Sequence, residues 1–214
     1  CKSNLIEVLN LGKHPLCDDL KKIGDNSNNK LYKIVIEYCN NCSTAFQKYN
    51  VNKKILFSKT YHYRSKFTND VLFGMKDLVE ECKKKLGDLK NKTILDVGTN
   101  DGSLLDFFKK YKSTTIGIEP TGAAKDVNRK KHFIINEYFN ERSIKILQKK
   151  YNKIDIITFT NVFAHIDDIQ LLIKNLKKII NEDTLLVIEN HYLGSILKKK
   201  QFDTFYHEHP RTYS

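Results

Sequence analysis

The stretch Lys92–Tyr111, KTILDVGTNDGSLLDFFKKY, passes from a short apolar segment through a glycine-containing turn into an apolar pattern of helical period. Strand, loop and helix in that order open a βα unit, and open α/β sheets bind ligands at the carboxyl ends of their strands. Gly98 and Gly102 let the chain turn tightly and let a ligand approach the backbone. Asp96, at the end of the strand, can accept hydrogen bonds from loop amides or face a cationic ligand group.

Working outward, TTIGIEP (114–120) reads as the next strand. It ends at Glu119, about 20 residues beyond the first glycine, where an acidic side chain can hold both hydroxyls of a ribose. Three more strands are expected, in KKHFIINEYF (130–139), KIDIITFTNVFAHIDD (153–168) and DTLLVIENHYL (183–193). The helical patterns NERSIKILQKKY (140–151) and DDIQLLIKNLKKII (167–180) lie between them. Alternating strands and helices imply right-handed crossovers and a doubly wound, Rossmann-like α/β domain. Asn161 and His165 then follow the fourth strand, and Glu189, His191 and Tyr192 the fifth, so polar groups gather at one edge. The structural alternative for His165 is a place beside a helix start, with Asp167 as the cap.

The loop also discriminates between cofactors. It reads G-x-N-D-G and lacks the G-x-G-x-x-G of pyrophosphate-binding folds. Asn100 and Asp101 beside the glycines suit the amino-acid and sulfonium part of S-adenosylmethionine better than a pyrophosphate, which the added negative charge of Asp101 would repel. The expected cofactor-binding residues are therefore Asp96, Gly98, Asn100, Asp101, Gly102 and Glu119.

The chain has 214 residues, 40% of them hydrophobic, enough for one ordinary domain and a small accessory module. The net charge of +12 is spread through Lys-rich helices and forms no compact Lys/Arg stripe interleaved with aromatics. A small anionic ligand is thus expected in preference to nucleic acid. There is no apolar run of 18 residues and no leader pattern, so neither a membrane span nor secretion is expected, and a cytoplasmic protein is the default.

Five cysteines without secretory context argue against a disulfide framework. Cys39 and Cys42, in YCNNCSTAF, have the spacing of a zinc knuckle, and the segment from Cys1, CKSNLIEVLNLGKHPL, resembles the second half of another. Cys1, Cys39 and Cys42 are then three ligands of a structural zinc, and a lone redox-active or incidental C-x-x-C is the alternative. The turn segment DNSNNK (25–30) and the alternating LYKIVIEYC (31–39) suit a small zinc ribbon. Between ribbon and main domain, Asp70–Leu89 carries Val71, Leu72, Met75, Leu78, Val79 and Cys82 on one helical stripe, which makes Cys82 a core thiol.

Blocks along nearly the whole chain carry a family resemblance: LGKHPL (11–16), CNNC (39–42), YHYRS (61–65), LDVGTNDGSLL (95–105), NVFAHIDD (161–168) and FDTFYHEH (202–209). The chain resembles the S-adenosylmethionine-dependent C-methyltransferases that act on keto forms of nucleotide-linked deoxysugars. The resemblance implies a class I methyltransferase domain over 69–214, preceded by a zinc-binding module over 1–68 whose first cysteine pair is truncated. It also implies a further C-terminal region beyond Ser214 that helps to hold a small nucleotide-sugar substrate.

Methylating carbon beside a ketone requires a base for the C–H proton, stabilisation of the enolate and an in-line methyl group. By resemblance His209 is the base, with Glu208 and Tyr206 shaping its charge or the enolate, and Tyr61 or Tyr63 approaching from the zinc side. Asn161, His165 and His207 are the expected substrate contacts, Asn161 also serving the cofactor. Two alternatives stay open: an O- or N-methyltransferase of the same fold, and a non-catalytic zinc-ribbon module. A metal held by His207, His209 and His191 is disfavoured, because His-x-His in a loop has no fixed ligand spacing.

Overall fold

The computed structural model describes residues 3–214, and Cys1, one of the expected zinc ligands, lies outside them. In chain order the elements begin with strands β1 (Ile6–His14), β2 (Tyr32–Cys39) and β3 (Thr44–Gln47) and helices α1 (Lys53–Leu56) and α2 (Asn69–Leu86). There follow β4 (Thr93–Val97), α3 (Ser103–Lys109), β5 (Thr114–Ile118), α4 (Ala124–Arg129), β6 (Phe133–Ile135) and α5 (Glu141–Lys150). The last elements are β7 (Ile156–Thr160), α6 (Ile169–Leu176), β8 (Leu185–Glu189), α7 (Leu193–Lys199) and β9 (Arg211–Thr212).

Two compact units result: residues 57–160 with 168–188, and residues 1–56 with 161–167 and 189–214. This division by packing differs from one at residue 68, because the chain after β8 returns to the N-terminal sheet, where β9 pairs with β3 through Ala45–Thr212 and Phe46–Arg211. Segment 57–68 also falls with the five-stranded sheet instead of with the N-terminal module.

That sheet has the order β6-β5-β4-β7-β8, with the β4–β5, β4–β7 and β5–β6 pairs parallel. All five expected strands and both intervening helices are present. The chain winds outward from β4 to β6, then returns to β4's other side with β7, so β4 and β7 flank the switch point where such sheets bind ligands. The core packs Met75, Val79 and Cys82 of α2 with Leu89, Ile94, Leu104, Leu105, Phe108 and Ile156. Cys82 is a core thiol, and burial pushes its pKa up to about 11. Helix α2 ends at Gly87, whose φ of 76° is the left-handed conformation glycine adopts freely. At α6 the cap is Asp168, whose carboxylate accepts from the Leu171 amide at 2.9 Å, and not Asp167, which instead pairs with Lys53 at 3.1 Å.

The N-terminal unit is an antiparallel sheet of order β1-β2-β3-β9. Ile34, Ile36 and Ala45 of this sheet pack with Leu193, Ile196 and Phe205. Strand β2 matches the expected alternating segment, whereas β1, α7 and β9 were not anticipated from sequence.

One close approach in the five-stranded sheet is sequence-encoded: a Cβ on Gly117 of β5 would lie 2.5 Å from Thr99 Cγ2 and 3.1 Å from Ile134 Cδ1. The glycine lets the loop after β4 rest directly on β5. Gly117→Ala is therefore expected to cost about 1–3 kcal/mol, as overpacking does. Adding Thr99→Ser, which removes the clashing methyl, should recover part of the loss in denaturant midpoint, and a double variant no better than the single would refute this account.

Candidate functional site

Within the five-stranded unit, the loop after β4 turns through left-handed residues at Gly98, Asn100 and Gly102, with φ of 72°, 51° and 78°. Glu119, at the end of β5 and 4% exposed, fixes that loop: one carboxylate oxygen accepts from the Asn100 amide at 2.9 Å, the other from the Thr121 amide at 2.8 Å. Burial raises its pKa, and the bonds from Thr121 and Asn100 oppose the rise. Each oxygen keeps a second lone-pair direction, so the carboxylate can still accept from ribose hydroxyls.

Asp96 is 1% exposed and accepts from the Thr158 hydroxyl of β7 at 2.6 Å, which joins the two strands at the switch point. Burial pushes its pKa up to about 7, against the hydrogen bonds that favour the ionised form. A carboxylate so poised responds strongly to any nearby cationic group.

Asn100 and Asp101 turn to the segment that precedes α2. The Asn100 side chain accepts from the Ser65 amide at 3.1 Å and donates to the Tyr63 carbonyl at 3.1 Å. One oxygen of Asp101 accepts from the Lys66 amide at 3.0 Å, the other from the Ser103 amide and hydroxyl at 3.1 and 2.6 Å. Arg64 of the same segment pairs with Asp126 of α4 at 3.0 Å and donates to the carbonyls of Tyr61 and Tyr63 at 2.8 Å. Tyr61 packs edge-on against Phe57 and lines an open depression of about 430 Å³ with Lys59, His62, Arg64, Lys66, Phe67 and Asp126. The Tyr63 side chain is not part of that lining, and the residue is 41% exposed.

The N-terminal unit gathers the histidines. His209 is 4% exposed, with ring centroids of Tyr206, His191 and His165 at 4.3, 4.5 and 4.9 Å. Its Nδ1 lies 3.0 Å from the Thr204 carbonyl, which can only accept, so Nδ1 carries the proton and Nε2 the lone pair. Burial lowers the pKa of His209 to about 4 and that of His165 to about 3, with repulsion between the rings adding to both. His207 is committed differently, its Nε2 lying 3.2 Å from the Tyr32 carbonyl of β2. Glu208, 4% exposed, accepts from the thiol of Cys17 at 3.5 Å. Burial and the neighbouring carboxylates push that thiol's pKa up to about 12. Asn161, left-handed at φ 54°, donates its amide to the Glu189 carbonyl at 2.9 Å and its side chain to the Glu189 carboxylate at 3.3 Å.

The structure thus brings His209 together with Tyr206 and His165, and Asp96, the glycine loop and Glu119 together in the other unit. Cys17, Arg64, Asp126 and His191 join these networks without having been singled out as site residues. Arg64 lies in the YHYRS block, and Cys17 directly follows the LGKHPL block. Cys39 is 1% exposed and Cys42 is exposed, and hydrogen bonding from the Cys42 amide lowers the Cys39 pKa. Among the described residues, the one group of three candidate ligand atoms close enough to share a metal is Cys17, Asp18 and Glu208.

Strand order, a glycine turn after β4 and an acid at the end of β5 define a doubly wound α/β protein, a class that binds its ligands at the switch point of the sheet. Residues 70–214 match the family model described as a methyltransferase domain, and the chain belongs to that family. It is 24% identical over 206 residues to the C-methyltransferase NovU of Streptomyces niveus, covering 95% of this chain and 49% of that protein. It is 33% identical over 89 residues to a ubiquinone biosynthesis O-methyltransferase of Coxiella burnetii, covering 41% and 38%. The chain therefore spans half or less of the length of these relatives. The structure of YcgJ from Bacillus subtilis superposes with a TM-score of 0.50 at 16% identity, covering 66% of this chain and 63% of that one, a likeness of fold alone.

The neutral histidines make a pH prediction. Their folded pKa values lie below the unfolded value, so the stability they contribute is present above about pH 6.5 and is lost as pH falls toward 4 and 3. For His209 the loss is on the order of 3 kcal/mol. Urea unfolding at pH 7.5 and 4.5 should show this loss, and His209→Gln should reduce it; equal pH slopes in both proteins would contradict the assignment.

Proposed function

We propose that this chain is the cofactor-binding and proton-abstracting part of an S-adenosylmethionine-dependent C-methyltransferase acting beside the ketone of a nucleotide-linked keto sugar. The observation that carries the cofactor reading is Glu119, buried at the end of β5 and bonded to the amide of the glycine turn. Family membership and the C-methyltransferase named among its relatives support the reaction class. The nucleotide-sugar substrate rests on the NVFAHIDD and FDTFYHEH blocks.

S-adenosylmethionine, when bound, supplies an electrophilic methyl group on a sulfonium. Asp96, with its pKa near 7, is the residue whose ionised form a cationic ligand would favour. Glu119 accepts from hydroxyls, and Gly98 and Gly102 leave the backbone open. His209 is the base: its burial keeps the imidazole neutral at physiological pH, and its Nδ1–H bond to Thr204 presents Nε2 as the lone pair. A pKa near 4 makes a weak base in the resting protein, but enolate charge developing beside the ring raises its proton affinity as the proton moves. Tyr206 packs at a tilt against the ring and can tune that charge, whereas Glu208 is turned toward the Cys17 thiol. Asn161 and His165 are the proposed sugar contacts, while the bond of His207 to Tyr32 favours an anchoring role for that residue.

The O-methyltransferase among the relatives favours a second reading, in which His209 deprotonates a hydroxyl and no enolate forms. Exchange of the proton beside the ketone, followed in deuterated water without cofactor, separates the two. For the C-methyl reading, His209→Ala in the full-length protein should reduce methyl transfer at least 100-fold and leave cofactor affinity intact. Asp96→Ala and Glu119→Ala should instead weaken cofactor binding. Near-normal turnover in His209→Ala would remove the base assignment.

A structural zinc is also proposed, with Cys39 and Cys42 as two of its ligands and Cys1 a third. The Cys42 amide stabilises the Cys39 thiolate, as a zinc ligand requires. The four described cysteines are free thiols, which suits a reducing cytoplasm. Metal analysis should find one zinc per chain that Cys42→Ser loses, and protein purified without zinc would overturn the assignment.

A further inference from the structure

We infer that the segment Lys59–Lys66 is a clamp over the cofactor site, and that Asn100, Asp101 and Gly122 are positioning residues of this clamp. The inference rests on the reading of Asp96–Glu119 as an S-adenosylmethionine site.

The two polar loop residues spend their side-chain hydrogen bonds largely on this segment. Both ends of the Asn100 amide group engage the segment, at Ser65 N and Tyr63 O, and Asp101 divides its oxygens between Lys66 N and Ser103. Asp101 is wholly buried, so its carboxylate is spent on holding backbone. These are the residues that sequence reasoning assigned to the cofactor itself.

The other end of the segment is pinned just as specifically. Lys59 Nζ donates to the Pro120 carbonyl at 2.9 Å and to Asn136 Oδ1 at 3.0 Å. Asn136 in turn donates to the carbonyls of Glu119 and Thr121 at 2.6 and 3.2 Å. The Lys59 carbonyl sits 2.3 Å from where a Cβ on Gly122 would stand. Glycine at 122 is therefore a notch into which the segment's backbone seats. In between, Arg64 is tied to Asp126 of α4.

The segment thus bridges the loops after β4, β5 and β6, the carboxyl ends at which a doubly wound sheet binds its ligand. Polar bonds at its two ends hold it, while Lys59, Thr60, His62, Tyr63 and Lys66 are exposed. Such a segment opens locally at low cost without unfolding the sheet beneath, and a ligand with higher affinity for the closed state shifts it closed. Closure also sets Tyr61 beside the depression.

The test uses Gly122→Ala, with Asn100→Ala as the second variant, since the latter adds no atom and keeps the backbone bond to Glu119. Hydrogen exchange by mass spectrometry over 59–66, the dissociation rate of S-adenosylhomocysteine and the urea midpoint are measured for each. In the wild type, S-adenosylhomocysteine should slow exchange in 59–66. Each variant should exchange faster there and release the ligand about 10-fold faster, which a shift of one decade in dissociation rate represents, beyond any change that the fall in midpoint accounts for. Unaltered release in variants whose segment exchanges freely would overturn the clamp and leave the cofactor site standing. Absence of S-adenosylhomocysteine binding to the wild type would overturn the cofactor reading and the clamp with it.

Discussion

The buried carboxylate of Glu119 is the constraint on which the cofactor side of the structure depends. A carboxylate at 4% exposure is costly unless its oxygens are used, and here one oxygen fixes the amide of Asn100 and the other that of Thr121. The loop after β4 and the turn after β5 are therefore set by a single side chain. Because Asn100 is then held at φ 51°, its amide group is presented to the segment containing Tyr63 and Ser65. Asn136 closes the same network from β6 by donating to the Glu119 and Thr121 carbonyls. Removing the acid would free two loops at once, while the Asn136 bonds to main-chain carbonyls remain, so an effect of its loss on ligand binding carries both a direct part and a positional one.

Much of the five-stranded sheet was legible because its strands are short apolar runs bounded by Gly, Asn and Asp, and its helices keep a 3.6-residue period. KTILDV, TTIGI and IITFT fall within β4, β5 and β7 or overlap them closely. The N-terminal unit was legible only at β2. In β1, IEVLNLGKH shows the burial of an edge strand: Leu9 and Leu11 pack partly buried against the small core, but Ile6 and Val8 are exposed at 52% and 57%, so its apolar residues do not mark one face consistently. Strand β9 has two residues and exists through its pairing with Ala45 and Phe46, a contact far removed in sequence. No local pattern could carry it.

The site was legible by residue type and less so by role. Glu119, Asp96 and the glycines occupy the positions their spacing implied, because the geometry of a βα turn fixes them. Asn100 and Asp101 were read as ligand contacts since polar groups in a glycine loop usually face the ligand, yet their side chains hold backbone amides of a segment 35 residues earlier. Likewise HEH looks symmetrical in sequence, but the structure separates its members. His209 bonds to Thr204 and lies among other rings, Glu208 meets Cys17, and His207 bonds to Tyr32. A tight turn sends adjacent side chains in different directions, and only their tertiary partners set each one's surroundings.

Two ways of handling titratable groups follow from this. In the five-stranded unit burial raises the pKa of Asp96 and Glu119, so both carboxyls are held closer to neutrality than in water and become sensitive to a positive ligand. In the other unit burial lowers the pKa of His165, His191 and His209, so the rings are neutral and sensitive to a negative one. The same physical cause, desolvation, thus moves the carboxyls of one unit and the imidazoles of the other toward their neutral forms. Where some charge stays buried, as at Glu119, hydrogen bonds from two amides compensate it, and where burial leaves a ring neutral, as at His165 and His209, no uncompensated charge remains to be buried.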